Sequence, residues 1–548
     1  MKSWKHVLLT GMLSSALLLQ GTLTGGDRAY AEGPTDPAPV INPVGTPKNK
    51  TVLFDNTHAE TAGNADWVID GAFSDFAGAL AGQGYLVKEL RKTTPITLSD
   101  LQQASVFVMA EPNIPLKTSE QSAILQYVQG GGSVLFIGDH YNADRNLNRW
   151  DGNEVFNGYR RGAFGNPTKG MSTAEAASAA MQDVTSTDWL MTNFGIRFRY
   201  NAIGDVTATN IVAPSQSFGI TTGVSSFAMH AGSTLAIGDP NKAKGIVYVP
   251  SNPSKWGNAV DQGVYNGGGA AEGPYVAIAK NSLGKAAFVG DSSPVEDATP
   301  KYKREDNGAT KTTYAGWQEQ NDATLMINLV NWLATQESYT SFASKGITLD
   351  QPTTLLSMET PSSSTEPQAE PWSTPAAGYK WYDRTTFKAG SYGYGSGTTT
   401  PPVGTSLTEN FDTGTKGAYA AANVTLSSGS WYFNNALLGN LTTDKKSGAQ
   451  SARISATGSI SMNFDVSGAN QVKLSVANFG SDTGATWKLQ KSVNGGSTWT
   501  DVTSAVTATS TLTQQTINVG QTGSVRFRVY VAGTSGKRLN VDDFQVVN

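Results

Sequence analysis

Three short stretches place acids and histidines directly after apolar runs: "TVLFDNTHAE" (51–60), "SVLFIGDHYNADRNLNRW" (133–150) and "GKAAFVGDSSPVED" (284–297). Asp55, Asp139 and Asp291 each close such a run. His58 and His140 lie within three residues of the first two acids, and Asp144 follows. Carboxylates that converge without a cation or donors raise one another's pKa and cost stability, and a bound divalent metal removes that penalty. Asp55, His58, Asp139, His140 and Asp291 are therefore candidate metal ligands, and His58, His140 and Asp144 candidate acid–base groups. Oxygen and imidazole donors suit Mg, Mn, Zn or Ca without choosing among them. Such a site would lower the pKa of a bound water and polarise a phosphoryl or carbonyl oxygen. The plainer alternative is that these are ordinary turn and cap residues after strands.

Downstream, Arg145, Arg149, Arg160, Arg161 and Lys169 are interleaved with Trp150, Phe156, Tyr159 and Phe164. Guanidinium groups beside aromatic rings suit an anionic, stackable ligand, so the four arginines and Trp150 are candidate substrate-binding residues. A solvated loop with aromatic anchors would give the same pattern. Ser292 follows Asp291 but lacks a Gly-x-Ser-x-Gly elbow, and Glu296 and Asp297 are weaker candidates to line the same site. The glycine-rich "NGGGAAEGP" (266–274) has no P-loop Lys-Ser/Thr. His230 sits in an apolar context and reads as a packed residue.

These groups need elements to hold them. The runs "TVLFD", "ASVFVMA", "SVLFIGD" and "GKAAFVGD" are apolar throughout and are separated by helical patterns at 65–84, 118–132 and 321–334. That predicts an α/β domain over 51–337, a doubly wound parallel sheet with a long insertion at 140–280, whose ligands would sit beyond the carboxyl ends of its strands. Before it, 1–31 carries Lys2, Lys5, the apolar "VLLTGMLSSALLL" and Ala29-Tyr30-Ala31, the pattern of a secretory signal peptide. A proline-rich lead-in covers 32–50, and 338–405, rich in Pro, Ser, Thr and Gly, reads as a linker. From 406 to 548, short alternating strands predict an all-β jelly-roll sandwich. In it, Glu409, Asp412, Asp542 and Asp543 are candidate ligands of a structural calcium, if first and last strands pair; as edge charges they would discourage strand pairing instead.

Composition sets the limits. There is no cysteine, which excludes disulfides, thiolate nucleophiles and cysteine-bound metals. Without Lys2, Lys5, Asp27 and Arg28, 37 basic and 43 acidic side chains remain, a net charge of −6. Nucleic-acid binding would then rest on a local basic patch. No apolar run after the leader reaches the ~20 residues of a membrane span.

The stretches "LFDNTHAETAGNADWVIDGAFSDF", "GDHYNADRNLNRWDGNEVFNGYRRG" and "GDSSPVEDATPKY" resemble a family of secreted Gram-positive bacterial proteins described as DNA-binding or endonuclease-like. That resemblance, over about 50–337, implies a core similar to the class I glutamine-amidotransferase-like or flavodoxin-like fold. The amidotransferase nucleophile is a cysteine, which this chain lacks. The C-terminal region resembles a β module appended to secreted endonucleases and other exported enzymes.

The expectation is a secreted, extracellular, metal-dependent hydrolase, a phosphodiesterase or nuclease acting on DNA or RNA. Alternatives are a non-catalytic DNA- or glycan-binding protein, and a glycoside hydrolase with a carbohydrate-binding module. The partners expected are nucleic acid or polysaccharide, with attachment to a cell surface or matrix through the C-terminal region.

Overall fold

The computed structural model describes residues 32–394 and 407–547, apart from 494, 495, 497, 534 and 535. The candidate signal peptide lies outside the described residues.

The apolar runs of the first half pair as parallel strands. Leu86–Leu90, Thr51–Asp55, Val106–Ala110, Ser133–Ile137 and Gly284–Val289 lie side by side in that spatial order, all parallel. Val106–Ala110, Ser133–Ile137 and Gly284–Val289 are buried at every position, as strands covered on both faces must be.

The predicted doubly wound, flavodoxin- or amidotransferase-like parallel sheet does not form. Pro274–Asn281, Ala243–Tyr248 and Asn210–Ile211 extend the block antiparallel on one side, and Val40–Ile41 on the other, giving a nine-stranded mixed sheet. The described residues are 29% strand and 16% helix, where alternating βαβ units would put a helix behind every strand. Among the described residues only Ser74–Gly82, Thr118–Gln129 and Asp322–Leu333 are helices of eight residues or more. The physical reason lies in the 140–280 insertion, which supplies short strands that return antiparallel instead of crossover helices.

Two contacts lock the helix Asp322–Leu333 to the sheet. Its buried side chains Leu325, Met326, Leu329, Val330 and Leu333 repeat at helical spacing. At its end, the Ser133 hydroxyl donates to the Leu333 carbonyl at 2.8 Å, and the Lys285 ammonium donates to the carbonyls of Trp332 and Thr335. Burial lowers the Lys285 pKa to about 8. Its bonds satisfy carbonyls that a helix terminus otherwise leaves open.

The stretch read as a linker is laid against the first domain over its described part, 338–394. Glu359 forms a bidentate pair with Arg199, at 2.7 and 2.6 Å. Glu370 pairs with Arg160 at 2.5 Å, Trp381 donates to Glu175 at 2.7 Å, and the Tyr379 hydroxyl donates to the Asn146 carbonyl at 3.2 Å. Tyr379 and Trp381 are buried there. A composition rich in Pro and Ser still docks when acids and aromatics are spaced along it.

Residues 407–547 are all antiparallel β. Instead of two separate jelly-roll sheets, the strands form one continuous ten-stranded sheet. Ser451–Met462 pairs in turn with Gly429–Gly439, Arg538–Val547 and Thr513–Ala532, so the sheet wraps around its own core. Trp431, fully buried, packs edge-on against Phe411 and Phe544 at 5.6 and 5.2 Å. Among the described residues no helix is long and apolar enough to cross a membrane.

Candidate functional sites

The strand-end acids are held at the carboxyl edge by tight packing behind them. A Cβ on Gly138 would sit 2.3 Å from Asn153 Oδ1, and one on Gly290 would sit 1.9 Å from the Ser233 carbonyl. Those close approaches explain why two of the three runs, at 138–139 and 290–291, end in Gly-Asp. They do not bring every candidate into one pocket; the groups fall into two clusters.

The first surrounds His58. Its Nδ1 lies 2.8 Å from Asp55 Oδ2 and its Nε2 lies 3.3 Å from Glu120 Oε2. Burial alone would lower the histidine pKa, but Glu120 and Asp55 together outweigh it and raise the pKa well above the ordinary value. The ring is an imidazolium held between two carboxylates. Glu120, with N–H donors from Lys117 and Ile96 as well as His58, falls to about 2. Glu60 accepts from the His58 N–H at 2.8 Å, and burial together with Asp55 raises its pKa well above the carboxylate range. One donor atom from each of Asp55, His58 and Glu60 lies within 4.8 Å of the others, the one such group among the described residues. The imidazolium and the raised Glu60 carboxyl already offset most of this cluster's negative charge, so a cation would have to replace the imidazolium proton.

The second cluster centres on Arg145. Its guanidinium bonds Asp139 Oδ2 and packs 5.7 Å from the Trp67 ring. The Arg145 charge, with the His140 backbone N–H donating at 2.6 Å, holds the Asp139 pKa low despite burial. Burial, then the Asp139 charge, raises both Glu111 and Asp291 well above the carboxylate range. Both Glu111 oxygens are buried without a hydrogen-bond partner. His140 donates from Nδ1 to the Tyr141 carbonyl at 2.8 Å, and its ring packs 4.1 Å from Trp256. Burial lowers its pKa, so it is neutral with a lone pair on Nε2. Asn113 bridges the clusters: its N–H donates to the His58 carbonyl, and its Oδ1 accepts from the Arg145 N–H.

Asp144 has a structural task. Its two oxygens accept the N–H groups of Asn148 and Arg149 at 2.8 and 2.7 Å, closing a turn in which Leu147 and Arg149 take positive φ. Burial raises it to about 7. The expected substrate arginines are engaged inside the fold. Arg145 holds Asp139, Arg149 pairs with Glu175 at 2.7 Å, Arg160 with Glu370, and Arg161 with Asp261 at 2.9 Å. Trp150 is 1% exposed and belongs to the core. For Arg149, Arg160 and Arg161 the acids lie 26, 210 and 100 residues away, which local spacing does not reveal.

Other expectations resolve similarly. Glu296 accepts from Trp67 and Ser292, and Asp297 accepts from Ser74 and Asp75 at the start of a helix. Asp291 accepts from Ser293 and from the His230 N–H at 2.7 Å. The His230 ring stacks on Tyr314 at 3.7 Å. The glycine-rich loop surrounds its own carboxylate: Glu272 accepts N–H donors from Tyr265, Asn266 and Gly268, where a phosphate would need them. In the β module, Glu409 accepts from Phe411 and Ser428, Asp412 from Ala449 and Gln450, Asp542 from Ser447, and Asp543 from the Ser447 hydroxyl. These four acids hold turns and form no shared ligand cluster.

Sequence reasoning passed over Glu60, Glu111 and Glu120. Glu111 directly follows "VFVMA", so the rule that singled out Asp55, Asp139 and Asp291 applies to it equally.

A different surface lies on the β module. A groove of about 280 Å³ is lined by Tyr432, Asn434, Ser459, Ser461, Asn463, Trp499, Arg526 and Arg528, among others. Strand register builds it: Tyr432 lies opposite Ser461, Ser461 opposite Arg528, and Asn434 opposite Ser459. Trp431 and Phe433 point into the core, so alternation turns Tyr432, 38% exposed, and Asn434 outward.

No family model matches the chain, and no curated protein matches it. Among solved structures, it is similar to the mmIFT52 N-terminal domain, at 13% identity over 52% of this chain and 98% of that one, with a TM-score of 0.33. A putative ThuA-like protein from Bacteroides uniformis matches at 14% identity over 55% of this chain and 98% of that one, with a TM-score of 0.32. TmCBM61, solved with β-1,4-galactotriose, matches at 18% identity over 22% of this chain and 88% of that one, with a TM-score of 0.18. All three TM-scores lie below 0.5, and the functional reading rests on side-chain geometry.

Proposed function

We propose that this is an exported glycan-binding protein whose ligand lies in the groove of the β module. The observation that carries the reading is a groove that joins aromatic rings, Trp499 and Tyr432, to short neutral hydrogen-bonding side chains, Asn434, Asn463, Ser459 and Ser461. A pyranose ring has an apolar C–H face that packs on an aromatic ring. Its hydroxyl rim both donates and accepts, as amides and hydroxyls do. Titration calorimetry of the full chain against a panel of soluble polysaccharides tests it. Binding that is lost in Trp499→Ala, with the melting temperature unchanged, is expected; no heat with any polysaccharide overturns the reading.

A second reading, a metal-dependent phosphodiesterase acting on extracellular DNA or RNA, draws support from the Asp55–His58–Glu60 cluster, whose ligand atoms lie within 4.8 Å of one another. It requires Mg, Mn, Zn or Ca to bind with release of protons and chelator-sensitive cleavage of DNA or RNA. Calorimetry in buffers of different ionisation heat, which finds no proton release and no binding, would end it.

A further inference from the structure

The charge of the β-module groove carries the glycan reading, on which this inference rests, one step further. Arg526 and Arg528 line the groove, and among the described residues no acid does. The two arginines differ in their surroundings. Arg526 donates from Nε to Asp465 at 2.5 Å, so a carboxylate already offsets its charge. Arg528 donates from Nε to the neutral Gln490 Oε1 at 2.6 Å, and its guanidinium lies 4.5 Å from the Trp499 ring. Among the described residues it has no ion-pair partner. Asp501, whose charge reaches Arg528, is itself bonded to Lys488 at 2.6 Å and to Gln490 at 2.6 Å.

The Nε bond and the ring contact fix the guanidinium in the groove and leave its two terminal nitrogens for a ligand. A guanidinium so placed is matched by a planar carboxylate, which accepts two parallel N–H bonds. The same ring that fixes the cation offers a face for the sugar that bears the acid. The hydroxyls and amides on the other side of the groove suit the remaining sugar hydroxyls. A nucleic-acid strand also takes aromatic and cationic contacts, but it offers phosphates and bases to a wall of short Ser and Asn side chains whose reach and polarity fit hydroxyls better.

We infer that the groove selects an acidic polysaccharide, one whose uronate carboxylate is held by Arg528 while its ring packs on Trp499.

The test compares two forms of one backbone: polygalacturonate and its fully methyl-esterified form, which keeps the sugar ring and hydroxyls but removes the charge. Both are titrated into the full-length protein at low and high salt, beside single-stranded DNA. The expected result is that polygalacturonate binds about 10-fold or more tightly than the ester, with affinity falling as salt rises. Arg528→Gln should abolish that preference by weakening polygalacturonate far more than the ester, and Arg528→Lys, which keeps charge but loses the fork, should keep part of it. Circular dichroism and the melting temperature verify that each variant is folded. Equal, salt-independent binding of both forms overturns the charge inference and leaves glycan binding standing. Binding of neither form, or of any other polysaccharide, removes glycan binding itself. Tighter binding of DNA, lost in Trp499→Ala, replaces the inference with a nucleic-acid ligand.

Discussion

Glu359 offers the sharpest test of how the proline-rich segment is held. Its carboxylate takes Arg199 Nε and Nη2 at 2.7 and 2.6 Å and the Leu356 N–H at 2.8 Å, and Arg199 Nη1 donates to the Glu272 carbonyl at 2.7 Å. The Arg199 side chain is fully buried and that of Glu359 is 4% exposed. Removing one partner of a buried pair leaves the other charge uncompensated, a loss of about 3–5 kcal/mol. Glu359→Gln keeps one oxygen as an acceptor, which places the expected loss at the lower end, about 3 kcal/mol. That shifts the docking equilibrium roughly 100-fold. Urea unfolding followed by tryptophan fluorescence measures the loss. Hydrogen exchange across 353–392 localises it, because Trp372 and Trp381 lie on the same segment. The double variant Arg199→Met, Glu359→Leu removes both desolvation costs, but leaves the Glu272 carbonyl with only the Thr234 hydroxyl at 3.3 Å, so partial recovery is expected. A Glu359→Gln loss below about 0.5 kcal/mol, with unchanged exchange, would refute the account of a buried pair that anchors this segment.

Asp322 gives a pH signature. It is fully buried, accepts the Ala228 N–H on Oδ1 at 2.9 Å, and has no partner on Oδ2, and burial raises it from 3.8 to about 8. The unfolded chain releases this proton first, so this group's contribution is greatest below about pH 4 and falls as pH rises toward 8, by up to about 6 kcal/mol. Asp322→Asn should remove that slope and be the more stable protein at pH 8; parallel stability curves would contradict the assignment. Gly290→Ala drives a methyl into the Ser233 carbonyl, and overpacking there is expected to cost at least about 1–3 kcal/mol in chemical denaturation. Wild-type stability would show that the Gly-Asp turn has room. The two strand-edge histidines should titrate in opposite directions by NMR: His58 stays protonated above pH 6.5 and His140 is neutral below it. The stability from His58 is then present below its unfolded pKa and lost as pH rises through the folded one. A common midpoint for both rings would remove the imidazolium from the first cluster.

The local rules settled what depends on near neighbours. Runs such as "VFVMA" and the "VLFI" of 134–137, apolar at every position, read as strands covered on both faces, and a polar group just beyond each lands at one edge of the sheet. Period-two alternation in "SWYFN" likewise fixed which side chains of the β module face inward. Contacts between residues far apart in the chain were decided only by tertiary structure. Charge counts made Arg160 and Arg161 look free, but Glu370 and Asp261, 210 and 100 residues away, pair with them. Composition made 338–394 look like a tether, but a buried Arg199 needs Glu359. His58 and His140 have the same local context of strand, acid and imidazole, yet Glu120 makes one a cation, while the Tyr141 carbonyl and Trp256 keep the other neutral. The groove on the β module arises from the register of three strands that the chain visits at 432–434, 459–461 and 526–528, and no stretch of sequence contains it. Burial and partner choice set the charge state of a side chain, and both are properties of the folded chain as a whole.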